Sequence, residues 1–146
     1  MTTEPVVITR QIKSPIEKVF AAWTDPAQLS QWFAPESGTI QEADIDLRPG
    51  GAFKIAFVAE SDRFCAFGTY LRIDSPRLLE FTWKWEESSI ERGESVVTIE
   101  LVPTGNVTEL TLTHAKLESA TSCEAHLKGW DSVLGRLATY ATASTP

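Results

Sequence analysis

The chain has little that would support covalent, redox or metal chemistry. Only two of its 146 residues are cysteine, Cys65 and Cys123, and their placement makes neither a zinc-ligand pattern nor a disulfide framework. Only two are histidine, His114 and His126, and a pair without a third defined ligand is a weak metal constellation. There is no Gly-x-Ser-x-Gly elbow, no Gly-x-Gly-x-x-Gly fingerprint and no phosphate loop. The residues therefore assign no catalytic group, no cofactor and no metal. Positive charge is scarce too. Thirteen basic residues against 20 acidic ones leave a net charge of −7, which argues against a nucleic-acid surface and against adsorption to anionic membranes. No apolar run approaches the ~18 residues that a membrane-spanning helix needs. The opening Met1-Thr2-Thr3-Glu4-Pro5 lacks the basic and apolar segments of a signal peptide. A reducing cytoplasm is the expected setting.

What is present reads as one globular domain over residues 1–146. A hydrophobic share of 42% and a charged share of 23% are those of a globular protein, and a chain of this length buries about 70% of its unfolded surface. The order of elements reads strand, two short helices, six strands, long helix. Val6 to Ile12 is the first strand, stopped by Lys13-Ser14-Pro15. Ser14 and Glu17 have capping-box spacing, with Pro15 at the first helical position. The helix over 15–24 carries Ile16, Val19, Phe20 and Trp23 on one face. Asp25-Pro26 breaks it and caps a second helix over 26–33, which holds Leu29, Trp32 and Phe33 and ends near Pro35.

A meander follows. Thr39 to Leu47 leads into the tight turn Arg48-Pro49-Gly50-Gly51. Phe53, Ile55 and Phe57 then alternate with Lys54. The strand from Phe64 to Ile73 is partly apolar on both faces, so its inward side is open. Leu79, Phe81, Trp83 and Trp85 share a face, as do Val97, Ile99 and Leu101, and then Thr108, Leu110, Leu112 and His114. Glu42, Asp44 and Asp46 alternate on what reads as the solvated face. The last helix spans about 121–142, with Thr121 and Glu124 at capping-box spacing. His126, Trp130, Val133, Leu137 and Tyr140 form its apolar stripe, with Leu134 beside them. Gly129 inside it suggests close backbone approach or room for a ligand. The fold class is α+β: a curved antiparallel sheet of six to seven strands around a long C-terminal helix.

Several stretches resemble the START-like (SRPBCC) helix-grip superfamily, and within it the bacterial group related to the C-terminal domain of the heat-shock-protein-90 ATPase activator. They are Ser14-Pro15 to Val19-Phe20, Ala22-Trp23-Thr24-Asp25-Pro26, Gln31-Trp32-Phe33, Asp46-Leu47-Arg48-Pro49-Gly50-Gly51 and Gly68-Thr69-Tyr70. Phe81-Thr82-Trp83, Thr108 to His114, and Gly129-Trp130 with Leu134, Leu137 and Tyr140 complete them. The resemblance implies the helix-grip fold and a cavity between the long helix and the sheet. It carries no shared catalytic residue.

The cavity candidates are Trp32, Phe33, Phe57, Phe81, Trp83, His114, His126, Trp130 and Leu134. Each aromatic also reads as core, and each histidine as a hydrogen-bonded core or rim residue. Arg48 either reaches a ligand carboxylate or pairs with Asp46. Cys123, in the first turn of the last helix, is a candidate reactive thiol with His126 three residues on. Three functions compete. The favoured one is binding of a small apolar or amphipathic ligand in a cavity of roughly 300 Å³ or more. The second is a cyclase- or hydrolase-type enzyme using His114 or Tyr70 as acid or base. The third is a chaperone-activator-like interaction module in stress response, by fold analogy. The expected partner is that small ligand, without nucleic acid or membrane, and a homodimer is compatible with the reading.

Overall fold

Alternation along six successive segments becomes a single ladder. The computed structural model describes residues 4–33, 39–59, 62–86 and 93–143. In chain order they form β1 (Val6–Ile12), α1 (Ile16–Thr24), α2 (Pro26–Trp32), β2 (Thr39–Ile45), β3 (Ala52–Ala59), β4 (Asp62–Asp74), β5 (Leu78–Trp85), β6 (Ser95–Thr104), β7 (Val107–Ala115) and α3 (Ala120–Ala143). The seven strands make one antiparallel sheet in the order β1-β7-β6-β5-β4-β3-β2. Strands β2 to β7 run as a meander, and β1 closes the far edge on β7. The sheet curves, with the three helices on its concave face: a helix-grip α+β fold. Among the described residues no helix is long and apolar enough to cross a membrane.

Two bulges set the curvature and keep the inner face apolar. In β2 the register shifts between Ile40 and Glu42. Without that extra residue, Ile40 and Ile45 would point to opposite faces. With it, Ile40, Ala43 and Ile45 sit opposite Phe57, Ile55 and Phe53, and all three pack on the core. In β4 the shift lies between Tyr70 and Arg72. Tyr70 faces Phe81 just before it and Ile73 faces Leu79 just after it, so the shift keeps both on the inner face. This is why β4 reads as apolar on both sides: its parity changes midway. Its inner residues before the bulge are small, Ala66 and Gly68, and they sit beside the large rings of β3 and β5.

Helix starts differ in detail from the capping boxes. Pro15, in extended conformation, occupies the N-cap of α1 and supplies no side-chain cap. Ser14 lies just before it, and its carbonyl accepts from the Thr108 hydroxyl at 2.8 Å. Asp25 does cap α2, accepting from the Ala27 amide at 3.0 Å. Phe33 is the C-cap of α2 rather than its last turn, and Pro35 lies outside the described residues. In α3 the cap is Ser119, not Thr121: its hydroxyl accepts from the Ser122 amide at 3.0 Å. That places the helix start one residue earlier than its apolar pattern suggests.

The helices fill the concavity. Trp23 meets Trp32 edge to face at 4.8 Å, and the Trp32 indole donates to the Ala22 carbonyl at 3.0 Å, locking α2 onto α1. Trp130, Val133, Leu134, Leu137 and Ala141 are the buried stripe of α3, while Tyr140 is only half buried. Arg10 on β1 forms an ion pair with Asp131 on α3, outside that stripe. On the convex face, Arg72 grips Glu80 with two hydrogen bonds of 2.9 and 3.1 Å, and Thr98 adds a third at 2.8 Å. The Arg72 guanidinium holds the Glu80 carboxyl below its usual range. Glu42 pairs loosely with Lys54 on this face, and Asp44 and Asp46 are exposed.

Two glycines now separate. A Cβ on Gly68 would lie 2.0 Å from the Thr82 carbonyl oxygen and 2.8 Å from the Phe53 ring. Gly68→Ala is expected to lower stability by about 1–3 kcal/mol or more, measured by urea unfolding. The close-approach reading of Gly129 does not hold: nothing lies within 4 Å of its added Cβ. Gly129→Ala is therefore expected to raise stability by up to ~1 kcal/mol through helix propensity.

Candidate functional site

The last helix meets the sheet through two histidines, each held by an indole. The Trp130 Nε1–H donates to His114 Nδ1 at 3.0 Å. An indole only donates, so His114 Nδ1 is the acceptor and its proton sits on Nε2. Nε2 lies 2.7 Å from Ser95 Oγ, to which it donates. The Ser95 hydroxyl passes its own proton to the Trp83 carbonyl at 3.1 Å. The second set repeats the logic. The Trp85 Nε1–H donates to His126 Nε2 at 2.9 Å, so Nδ1 donates to the Ser122 carbonyl at 2.8 Å. The two imidazoles meet edge to face, 4.8 Å between centroids. His114 is fully buried, and burial, with His126 beside it, pushes its pKa from 6.5 down to about 2.

These polarities decide what the cluster does chemically. A Ser–His pair at 2.7 Å has the spacing of a nucleophile and its base. Here the imidazole nitrogen that faces Ser95 carries the proton, and the nitrogen that could accept one is taken by Trp130. Ser95 is also fully buried. The pair is a structural relay that satisfies buried polar groups. Tyr70 is no readier as an acid or base, because burial pushes its phenol up, away from neutral pH. His126 is not turned to Cys123, since both its nitrogens are engaged elsewhere. Burial first, and then a hydrogen bond with Glu86, pushes the Cys65 thiol up. Arg48 bonds Asp46 at 2.8 Å, and both are exposed. Among the described residues no three His, Cys, Asp or Glu side chains converge as metal donors.

A cavity lies elsewhere, under the two short helices. Its helix side is Trp23, Leu29 and Phe33. Its sheet side is Phe53, Ile55, Tyr70, Phe81 and Trp83, with Ile45 and Leu79 at the margin. Among the described residues every wall side chain is apolar or aromatic, the polar groups of the wall being the Tyr70 hydroxyl and the indole N–H groups of Trp23 and Trp83. The space measures about 20 Å³, enough for one water-sized group. The bulge of β2 puts Ile45 on the same inner face as Ile40, and Tyr70 continues the inner face of Ala66 and Gly68 up to the bulge of β4.

Of the nine sequence candidates, Phe33, Phe81 and Trp83 border this cavity. Trp32 is buried between α1 and α2. Phe57 stacks on the half-exposed Phe64 at 5.3 Å and meets Phe33 at 6.3 Å. His114, His126 and Trp130 are brought together with Trp83, but by packing directly on one another. Leu134 is fully buried in the α3 stripe. This space lies beneath α1 and α2, and beside it, toward α3, the rings of Trp130, His114 and Trp83 pack on one another. The sequence reading missed Trp23 and Phe53 as wall residues and treated Tyr70 only as an acid or base. The apolar face of α1 signalled that Trp23 is buried, and the alternation in β3 did the same for Phe53.

A family model described as Activator of Hsp90 ATPase homolog 1-like protein matches residues 13–142. No curated protein matches the chain. Similar crystal structures include the following three. Protein CV1439 from Chromobacterium violaceum has a TM-score of 0.86 and 26% identity, covering 94% of this chain and 96% of its own. The AHSA1 protein from Silicibacter pomeroyi has a TM-score of 0.85 and 27% identity, covering 97% and 99%. CalU16 from Micromonospora echinospora has a TM-score of 0.71 and 28% identity, covering 94% and 76%.

The histidine relay predicts a pH dependence. Between about pH 6.5 and 2 the unfolded chain binds a proton at His114 and the folded one does not. The stabilisation is complete above pH 6.5 and falls as the pH drops, by up to ~1.4 kcal/mol per unit from this group. Urea unfolding between pH 7 and pH 4 reads the loss. Imidazole NMR of the folded protein should show His114 still neutral at pH 4.

Proposed function

The chain belongs to the family of Activator of Hsp90 ATPase homolog 1-like proteins, and from that premise we propose that it binds a small hydrophobic or amphipathic molecule inside the sheet. The observation that carries the reading is the cavity under α1 and α2, with its apolar, largely aromatic wall and no charged group among the described residues. Its volume of about 20 Å³ admits only one small group in the closed protein. A larger ligand enters as α1 and α2 shift away from β3 to β5. Those helices lean on the sheet through aromatic faces such as Phe33 on Trp83, 6.1 Å apart, which repack more easily than a ladder of backbone hydrogen bonds. The polarity of the Ser95–His114 pair weighs against an acyl-transfer role for the same interior. Both cysteines are free thiols, which supports a cytoplasmic setting.

Two measurements test the reading. Native mass spectrometry of the purified protein is expected to show a co-purified small molecule. The apolar dye N-phenyl-1-naphthylamine is expected to bind the native protein saturably, at about one per chain, with a rise in fluorescence. A protein that carries no small molecule and takes up no dye would sink the proposal.

A further inference from the structure

The chain has five tryptophans, and their indole N–H groups divide cleanly. Trp32 donates to the Ala22 carbonyl, Trp85 to His126 and Trp130 to His114. Trp23 and Trp83 are 4% and 2% exposed, and neither indole N–H has an acceptor among the described residues. A buried donor left without a partner costs about 1–3 kcal/mol, so two in one core call for an explanation. Both unpartnered indoles border the cavity, and none of the three satisfied ones does.

Resting on the binding role proposed above, we infer that Trp23 and Trp83 form an acceptor-reading subsite, and that the ligand is a neutral, flat, apolar molecule bearing a carbonyl or ether oxygen. Three features of the wall select this class. The two indole donors require an acceptor, and they outnumber the single Tyr70 hydroxyl that could accept from a ligand. Among the described residues the wall carries no charged side chain to pair a carboxylate or an ammonium group, which favours a neutral ligand. The faces of Phe33, Phe53 and Phe81 favour a planar body. A site that hydrogen-bonds one oxygen rejects the isostere lacking it, because its own donors are then left bare.

Acetophenone and α-methylstyrene make the test, since they share a planar heavy-atom outline and differ in having C=O or C=CH2. Acetophenone is expected to bind about tenfold more tightly, equivalent to ~1.4 kcal/mol. It should also shift the indole N–H resonance of Trp23 or Trp83 in ¹H–¹⁵N spectra, while those of Trp32, Trp85 and Trp130 stay in place. Trp83→Phe keeps a ring in the wall and should reduce the preference; if that variant does not fold, the resonances of the unaltered protein decide. Equal affinity for the two probes with unmoved indole signals overturns the subsite and leaves apolar binding standing. Uptake of the dye with no binding of either probe overturns it as well. Failure of the dye together with both probes overturns the binding role itself.

Discussion

Two indole-to-imidazole hydrogen bonds hold the interior in one arrangement. An indole nitrogen can only donate, so each forces its histidine to present a bare nitrogen and to place the proton on the other side. From Trp130 the order runs through His114 and Ser95 to the backbone of β5. From Trp85 it runs through His126 back into the first turn of α3. One chain ties the helix to the strands through a tryptophan on the helix, and the other through a tryptophan on a strand. Sliding α3 by one turn would break both and strand several buried polar groups. Packing alone tolerates some slippage; a directional relay in a low-dielectric core does not.

The same relay divides the concave side into two regions with different properties. Near α3, polar atoms are paired and rings are interlocked, so that region is stiff. Near α1 and α2, contact with β3 to β5 is made by aromatic faces and aliphatic chains. Non-directional contacts can be exchanged for similar ones at small cost, so this is where a guest molecule is accommodated. The two bulges serve that region, because they keep Ile45 on the inner face with Ile40 and Ile73 on it with Tyr70, and bend the strands that carry them.

Much of the architecture is legible in the residues. Clean alternation in β3, β5 and β7 and the stripe of α3 suffice for a sheet gripping a helix, because each apolar face needs a partner. The strand β4 is illegible for a definite reason: its period shifts at the Tyr70/Arg72 bulge, and a bulge leaves no compositional mark there. The start of α3 misleads because Thr121 and Ser119 are both competent caps, and only backbone geometry chooses between them. The position of the cavity is the harder matter. Trp130 and Trp83 are equally large and equally apolar in sequence. One satisfies its N–H on a histidine 16 positions away and fills space, while the other has no acceptor among the described residues and borders a gap. That difference depends on long-range partners, which periodicity does not report.

The pairing of β1 with β7 also shapes how the chain folds. Strands β2 to β7 are joined to their neighbours in sequence and can zip together hairpin by hairpin. Strand β1 has no such neighbour: Thr9 meets Thr111, 102 positions away. Closing a loop of that length carries an entropic penalty before any contact rewards it. The N-terminal strand therefore docks late, onto a meander that already exists. It brings with it Arg10, whose ion pair with Asp131 fastens the edge of the finished sheet to the long helix. A nascent chain leaving the ribosome would hold this first-made strand unpaired until its last-made strand has emerged.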